Sequence, residues 1–354
     1  MLKRDPSLDR VRLELARAYF LAEEWELARR EFFTVLSAEI PNEVRANILA
    51  FLRAIDGRRG WSWALNVALT SGEHGFRKYR SDKVTLNVAG QPLEFQIDRP
   101  DSPKQGIRSI GYIEARETLD SISDNQRSFS VAVRATADLL EFSGSEWDDY
   151  TVNLNNRLIV TYPETTLEIG PSISYRWFGH QLYEQSWGAD ARLSNRSVTN
   201  WMFSVAGTVR DVDNKVLDAR DGVLIGVEVG GLRSLGGTSI VGMSLAGLTF
   251  DASAPYESYY EIRLSPYISS DVGYGFTGTL RPSYGIAKFD ATAPLFFEPR
   301  EDWEAGIGLQ ITKNDYSIYG YSPFISYDFA YHDSNIELYQ YTDHIFQVGL
   351  TKIY

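Results

Sequence analysis

Cysteine is absent from the 354-residue chain, which excludes a disulfide scaffold, a thiolate-held zinc or iron–sulfur centre, and thiol catalysis. Histidine is scarce: the four are His74, His180, His332 and His344. They do not pair at metal-ligand spacing, and each reads as a plain surface residue of a loop. Positive charge is in deficit, since 35 Lys and Arg against 47 Asp and Glu leave a net charge of −12. Nothing here would neutralise a phosphate backbone, so nucleic acid is excluded as a partner. No run of about 18 apolar residues occurs, and with it goes the transmembrane helix. The basic start MLKRDPSLDR is followed by no apolar stretch, so no signal peptide is visible. An exported protein needs one, and we therefore expect this sequence to be a trimmed or mature form.

What remains is rich in aromatics and glycine: 21 Tyr, 18 Phe, 8 Trp and 28 Gly, at a mean hydropathy of −0.26. A chain of this kind keeps one way into a membrane. The strands of a β-barrel alternate apolar and polar residues, which hides their hydrophobicity from averaged scales.

Residues 7–56 follow a helical period. Ser7 is placed to cap a first helix with Val11, Leu15, Ala18 and Tyr19 on one face. A second helix begins near Glu23 and carries Leu27, Ala28, Phe32 and Leu36. Ile40, Pro41 and Asn42 break it, and a third from about Glu43 shows Val44, Ile48, Phe51, Leu52 and Ile55. The first two match the tetratricopeptide pattern, with Leu15, Ala16 and Tyr19 on one helix, Ala28, Phe32 and Val35 on the next, and Pro41 closing the unit. The plainer alternative is an ordinary helical hairpin.

From Gly60 the period drops to two. Trp61, Trp63, Leu65, Val67 and Leu69 alternate with Ser62, Ala64, Asn66 and Ala68. Fourteen such segments are predicted, over 60–70, 106–117, 126–141, 149–162, 166–178, 185–194, 200–211, 221–234, 238–250, 258–269, 275–289, 301–313, 319–332 and 344–354. Residues 71–105 form one long first loop, which either makes its own extracellular hairpin from KVTLNVAGQPLEFQID or folds inward. The fold expected is mainly β: a 14-stranded transmembrane barrel (59–354) behind a short helical, TPR-like periplasmic segment (1–58). An even strand count suits a bacterial single-chain barrel. A soluble β-sandwich would alternate too. Segment length, aromatic ends and a second face rich in Gly, Ser and Thr favour lipid on the apolar side.

No catalytic constellation stands out. GLRSLGG lacks the lysine and context of a phosphate loop, and no cofactor or metal is expected. The second face carries Arg134, Asp138, Arg157, Glu168, Arg176, Asp190, Arg192, Arg210, Glu228, Glu261, Arg263, Arg281 and Glu304. These are expected to line the lumen, either as mixed-sign pairs that hold a hydrated interior together or as a polar wall past which a polypeptide slides. At the C-terminus, IFQVGLTKIY places Phe346, Val348 and Leu350 at alternate positions before Tyr354, with Lys352 departing where its stem can snorkel. A last strand ending on an aromatic resembles the signal by which outer-membrane barrels are recognised for assembly.

The helical repeat LELARAYFLAEEWELARREFFTVL, the junction PNEVRANILAFLRAIDGRRGWSW and the terminal strand together resemble the surface lipoprotein assembly modulator family (Slam, the type XI secretion translocators). The family tends to carry more repeats upstream and an asparagine-rich first loop, whereas SGEHGFRKYRSDKVTLNVAG is poor in asparagine. The resemblance implies a non-enzymatic outer-membrane translocator, acting as a monomer without cofactor. Its partners would be the lipid bilayer, the barrel assembly machinery, and a client that is a surface lipoprotein or a secreted haem-binding-type protein. Arg12, Tyr19, Arg45 and Arg53 of the helical segment are candidate client contacts. A passive channel or porin, and an outer-membrane enzyme or adhesin acting through its loops, are the alternatives.

Overall fold

The computed structural model describes residues 8–36, 60–71, 77–98, 105–119, 122–123, 126–196, 201–235, 239–314 and 321–352, with scattered positions between 44 and 55. Helices α1 (Asp9–Leu21) and α2 (Trp25–Leu36) form an antiparallel hairpin. Glu23, at φ 61°, turns the chain between them, a left-handed conformation that costs a non-glycine residue about 1 kcal/mol. Phe32, Ile48 and Ile55 are fully buried, together with Ala16, Ala28, Val35 and Leu52. Each large side chain so buried contributes roughly 1.5–3 kcal/mol.

Two details of the helical reading are corrected. On α1 the inward positions are Leu13, Ala16, Tyr19 and Phe20, while Ala18 is exposed. Leu8, without a side-chain cap, precedes Asp9; Ser7 lies outside the described residues, as do Pro41, Arg45 and Arg53.

Among the described residues seventeen strands follow. Fourteen build the wall: β1 (Trp61–Thr70), β5 (Gly106–Thr118), β6 (Ser128–Phe142), β7 (Asp149–Thr161), β8 (Thr165–Phe178), β9 (Gln181–Asn195), β10 (Trp201–Asn214), β11 (Gly222–Leu235), β12 (Ser239–Ala252), β13 (Tyr259–Gly273), β14 (Phe276–Phe289), β15 (Glu301–Lys313), β16 (Tyr321–Ser334) and β17 (Tyr341–Lys352). Each pairs antiparallel with its neighbour, and β17 pairs back with β1 through Val67↔Leu350 to Thr70↔Gln347. The sheet is therefore a closed cylinder, which removes the exposed edge that hydrocarbon could not satisfy.

Register keeps one face outward all the way round. Leu69 stands beside Ile107, and Val67 beside Leu350. Outward side chains are exposed and apolar: Leu69 is 67% exposed, Trp187 65% and Val348 59%. That exposure would be untenable in water as one continuous band, and lipid accounts for it. Outward aromatics mark both ends, with Trp61, Trp63, Trp201 and Phe203 near the helices and Tyr150, Trp177, Tyr260, Trp303 and Tyr331 at the opposite, loop end.

The first loop does form its hairpin, β3 (Lys83–Val88) with β4 (Gln91–Gln96). Before it, the two-residue β2 (Lys78–Tyr79) adds to the edge of β17, a pairing that periodicity cannot announce. The helical segment meets the wall at the other end, where the Arg196 guanidinium lies 4.8 Å from the Phe33 ring centre.

Candidate functional site: the charged lumen

The predicted charges share the inward face, and their contacts show that this face is concave. Arg157 on β7 donates to Glu114 on β5, across the whole width of β6, and also to Glu168 on β8. Arg263 on β13 reaches Glu304 on β15 at 3.0 Å. Asn155 on β7 reaches Asp190 on β9 at 3.1 Å. Side chains of next-but-one strands converge only inside a cylinder.

Two lattices result. In the first, Glu114 accepts from Arg157 and forms an ion pair with Arg134, whose Nε lies 2.9 Å away, which ties β5 to β8. Arg108 grips Asp138 with two bonds of 3.0 and 2.7 Å, and Arg176 grips Asp149 at 3.0 and 2.6 Å. Arg210 lies 3.4 Å from Asp190. In the second, Arg263 also donates to Glu261 at 2.9 Å. Arg300 lies 2.5 Å from Asp302, and His332 sits 3.4 Å from Asp302 and 3.6 Å from Glu304. Arg281 stands 3.9 Å from Asp328. Such forked arginine–carboxylate pairs are the geometry in which charge is held most strongly.

Arg192 and Glu228 are less engaged. Arg192 faces Glu168 in register and is exposed to the lumen. Glu228 is flanked by Ala206 and Ala246. The lumen also contains a cavity of about 400 Å³ lined by Arg176, Tyr183, Tyr259, Arg263, Asp302 and His332. A second, of about 320 Å³, is lined by Arg77, Arg281, Glu304, Asp328, Tyr341 and Asp343.

Arg108, Glu114, Asp149, Arg300, Asp302, Asp328 and Asp343 escaped sequence reasoning, and so did two histidines. His332 lies on the inner face of β16 with a side chain 13% exposed. His344 lies on β17, where its Nδ1 is 2.9 Å from the Tyr327 hydroxyl. Neither is a loop residue. His180 does occupy a turn, 3.2 Å from Asp148; His74 falls outside the described residues.

Two of the helical candidates, Arg12 and Tyr19, are built into the hairpin. Arg12 is not a free surface cation: it donates to the buried Glu31 at 2.6 Å and braces α1 against α2. Tyr19 packs against the helical core. At the C-terminal strand, Phe346, Val348 and Leu350 point outward and are exposed; Tyr354 lies outside the described residues.

At the loop end, Arg77 enters the lumen and binds Asp343 through Nε at 3.1 Å and Nη2 at 2.8 Å, with its guanidinium 4.0 Å from the Tyr341 ring centre. Burial weighs against its charge, but the hydrogen bond to Asp343 and the neighbouring Tyr341 outweigh that, and its pKa is raised. Among the described residues no group of three or more His, Asp or Glu is arranged to hold a metal ion.

The family model of the surface lipoprotein assembly modifier matches residues 141–354, from the end of β6 onward. Among solved structures, a FadL homologue of Pseudomonas aeruginosa is similar at 9% identity and a TM-score of 0.45, over 86% of this chain and 91% of that one. The outer-membrane channel DcaP of Acinetobacter baumannii is similar at 10% identity and a TM-score of 0.42, over 83% and 98%. A bacterial polysaccharide outer-membrane secretin gives 10% identity and 0.41, over 82% and 98%. These are loose likenesses of shape; the family match is what bears on function. A comparison with curated proteins gave no match.

Proposed function

The chain belongs to the surface lipoprotein assembly modifier family, and from that premise we propose that it is an outer-membrane translocator delivering specific client proteins to the cell surface. The clients are surface lipoproteins or secreted haem-binding-type proteins. The family match is the observation that carries this reading. The lumen supports it: its acids and bases are largely neutralised by one another, so a passing polypeptide meets a polar wall without deep single-charge traps. The helical end faces the periplasm in this reading. There the hairpin receives an unfolded client, and folding beyond the membrane makes the passage directional. The outward row Phe346, Val348 and Leu350, ending on Tyr354, is what the barrel assembly machinery reads during biogenesis. The barrel works as a monomer.

Co-expression with a candidate lipoprotein tests the proposal. Protease accessibility of that lipoprotein on intact cells should rise at least tenfold when this protein is present. Equal accessibility with and without it, across the lipoproteins of the host, would contradict the reading. Deleting residues 1–57 separates translocator from passive channel: loss of display supports a client-receiving helical segment, and unchanged display favours the channel.

A further inference from the structure

β1 leaves the wall after Thr70, the partner of Gln347, so the loop-end half of β17 cannot be covered by β1. A segment of the first loop covers it instead. Ser71 bonds Phe346 in both directions, its N–H to the carbonyl at 3.0 Å and its Oγ accepting the Phe346 N–H at 2.9 Å. β2 then pairs Lys78 with Thr342 and Tyr79 with Tyr341. Arg77 is hooked on Asp343. Arg80 donates to Asp333 and to the Tyr331 hydroxyl one strand further on, and its N–H meets the Gln340 carbonyl at 3.2 Å.

This covering is built differently from the wall it completes. The ladders between consecutive wall strands from β5 to β17 run eleven to fourteen residues, while β2 contributes two. Charged side chains supply most of the rest: Arg80 and Asp333 are partly exposed and hold weakly, while the Arg77–Asp343 pair is largely buried, and a rival charge must replace one of its partners to release it. The hook also has its foot in the lumen: Arg77, Asp343 and Tyr341 all line the second cavity. Any charged side chain arriving through the barrel meets Arg77 and Asp343 as competing partners.

We propose that Arg77–Arg80 is a displaceable strap, and that the β17 edge it covers, Tyr341–Phe346, pairs with an extended segment of the client as it reaches the surface. The occupant is a β-strand, because the surface is a strand edge already occupied by one through main-chain hydrogen bonds. It continues the seam on which β1 and β17 already pair. The inference rests on the translocator reading and adds to it the place where the client docks.

The absence of cysteine allows a clean test. Tyr79→Cys with Tyr341→Cys, register partners, locks the strap when oxidised. Val205→Cys with Val229→Cys, partners in the β10–β11 ladder, is the control lock. With a lipoprotein whose display depends on the wild-type protein, the strap lock should lower display at least tenfold, with recovery on reduction, and the control lock should leave it unchanged. Display within twofold of wild type under the oxidised strap lock would overturn the proposal. A readout independent of export uses the purified full chain in detergent. The Lys78 and Tyr79 amides should exchange with deuterium at least a hundredfold faster than those of the β16–β17 ladder; equal protection would overturn the strap whether or not any lipoprotein is exported. Failure of display with the wild-type protein, by contrast, strikes the translocator reading alone.

Discussion

β5–β8 and β10–β12 are arcs of one cylinder, built by the same alternation, and their inner faces are opposites. The first is a lattice: Glu114, Arg134, Arg157 and Glu168 are joined strand to strand. The second, apart from Arg210, which turns to Asp190 on β9, is nearly bare, with Ala206, Gly226, Gly230, Ser244 and Ala246 around Glu228. Outside, both present the same apolar surface. Lipid therefore dictates one face everywhere, while the lumen leaves the other free to vary. Where inner side chains are long and charged they must be paired, because an unmatched charge held off water is costly. Where they are small, nothing needs pairing, and the backbone ladder alone holds the arc, fourteen residues long between β11 and β12.

The contrast breaks most sharply at Arg157. Arg157→Ala leaves Glu114 and Glu168 without their shared cation and should cost about 3 kcal/mol, measured as a lowered urea midpoint in detergent micelles. Glu228→Gln, in the bare arc, should stay within about 0.5 kcal/mol by the same measurement. Glycine sharpens the difference at the level of packing. A Cβ on Gly170, in the charged arc, would lie 1.7 Å from the Asn156 carbonyl oxygen, where the ladder skips around Pro171. Gly170→Ala should therefore cost on the order of 1–3 kcal/mol. A Cβ on Gly230 meets nothing nearer than the Ser204 Oγ at 3.4 Å, and Gly230→Ala should change the midpoint by less than about 0.5 kcal/mol. Smaller still is Lys83→Ala, which removes an ion pair with Glu94 between two largely exposed side chains on the loop hairpin; the barrel's unfolding midpoint should not move.

The wall was legible because hydrocarbon forces alternation, and fourteen segments fell within a few residues of their strands. The lattice was legible only in part. In β5 the run GIRSIGYIEARE puts Ile110 on the inner face between Arg108 and Tyr112. Apolar residues then recur at 107, 110 and 113, a spacing of three that conceals the period of two and with it the roles of Arg108 and Glu114. On α1, Ala18 fits a helical stripe as well as Ala16 does, and only the packing of α2 chooses between them. The strap was out of reach altogether. Arg77 and Asp343 stand 266 positions apart, and a two-residue strand carries no period; the closing of the cylinder brings them together.

The central claim is that this alternation separates lipid from water. Single cysteines placed one at a time from Val223 to Gly230 on β11, in a chain with no others, test it in native membranes with a water-soluble maleimide. Labelling is expected at 224, 226, 228 and 230, which face the lumen, and protection at 223, 225, 227 and 229, which face lipid. Labelling without that two-residue rhythm, or protection of the even positions as in the dry interior of a sandwich, would contradict it.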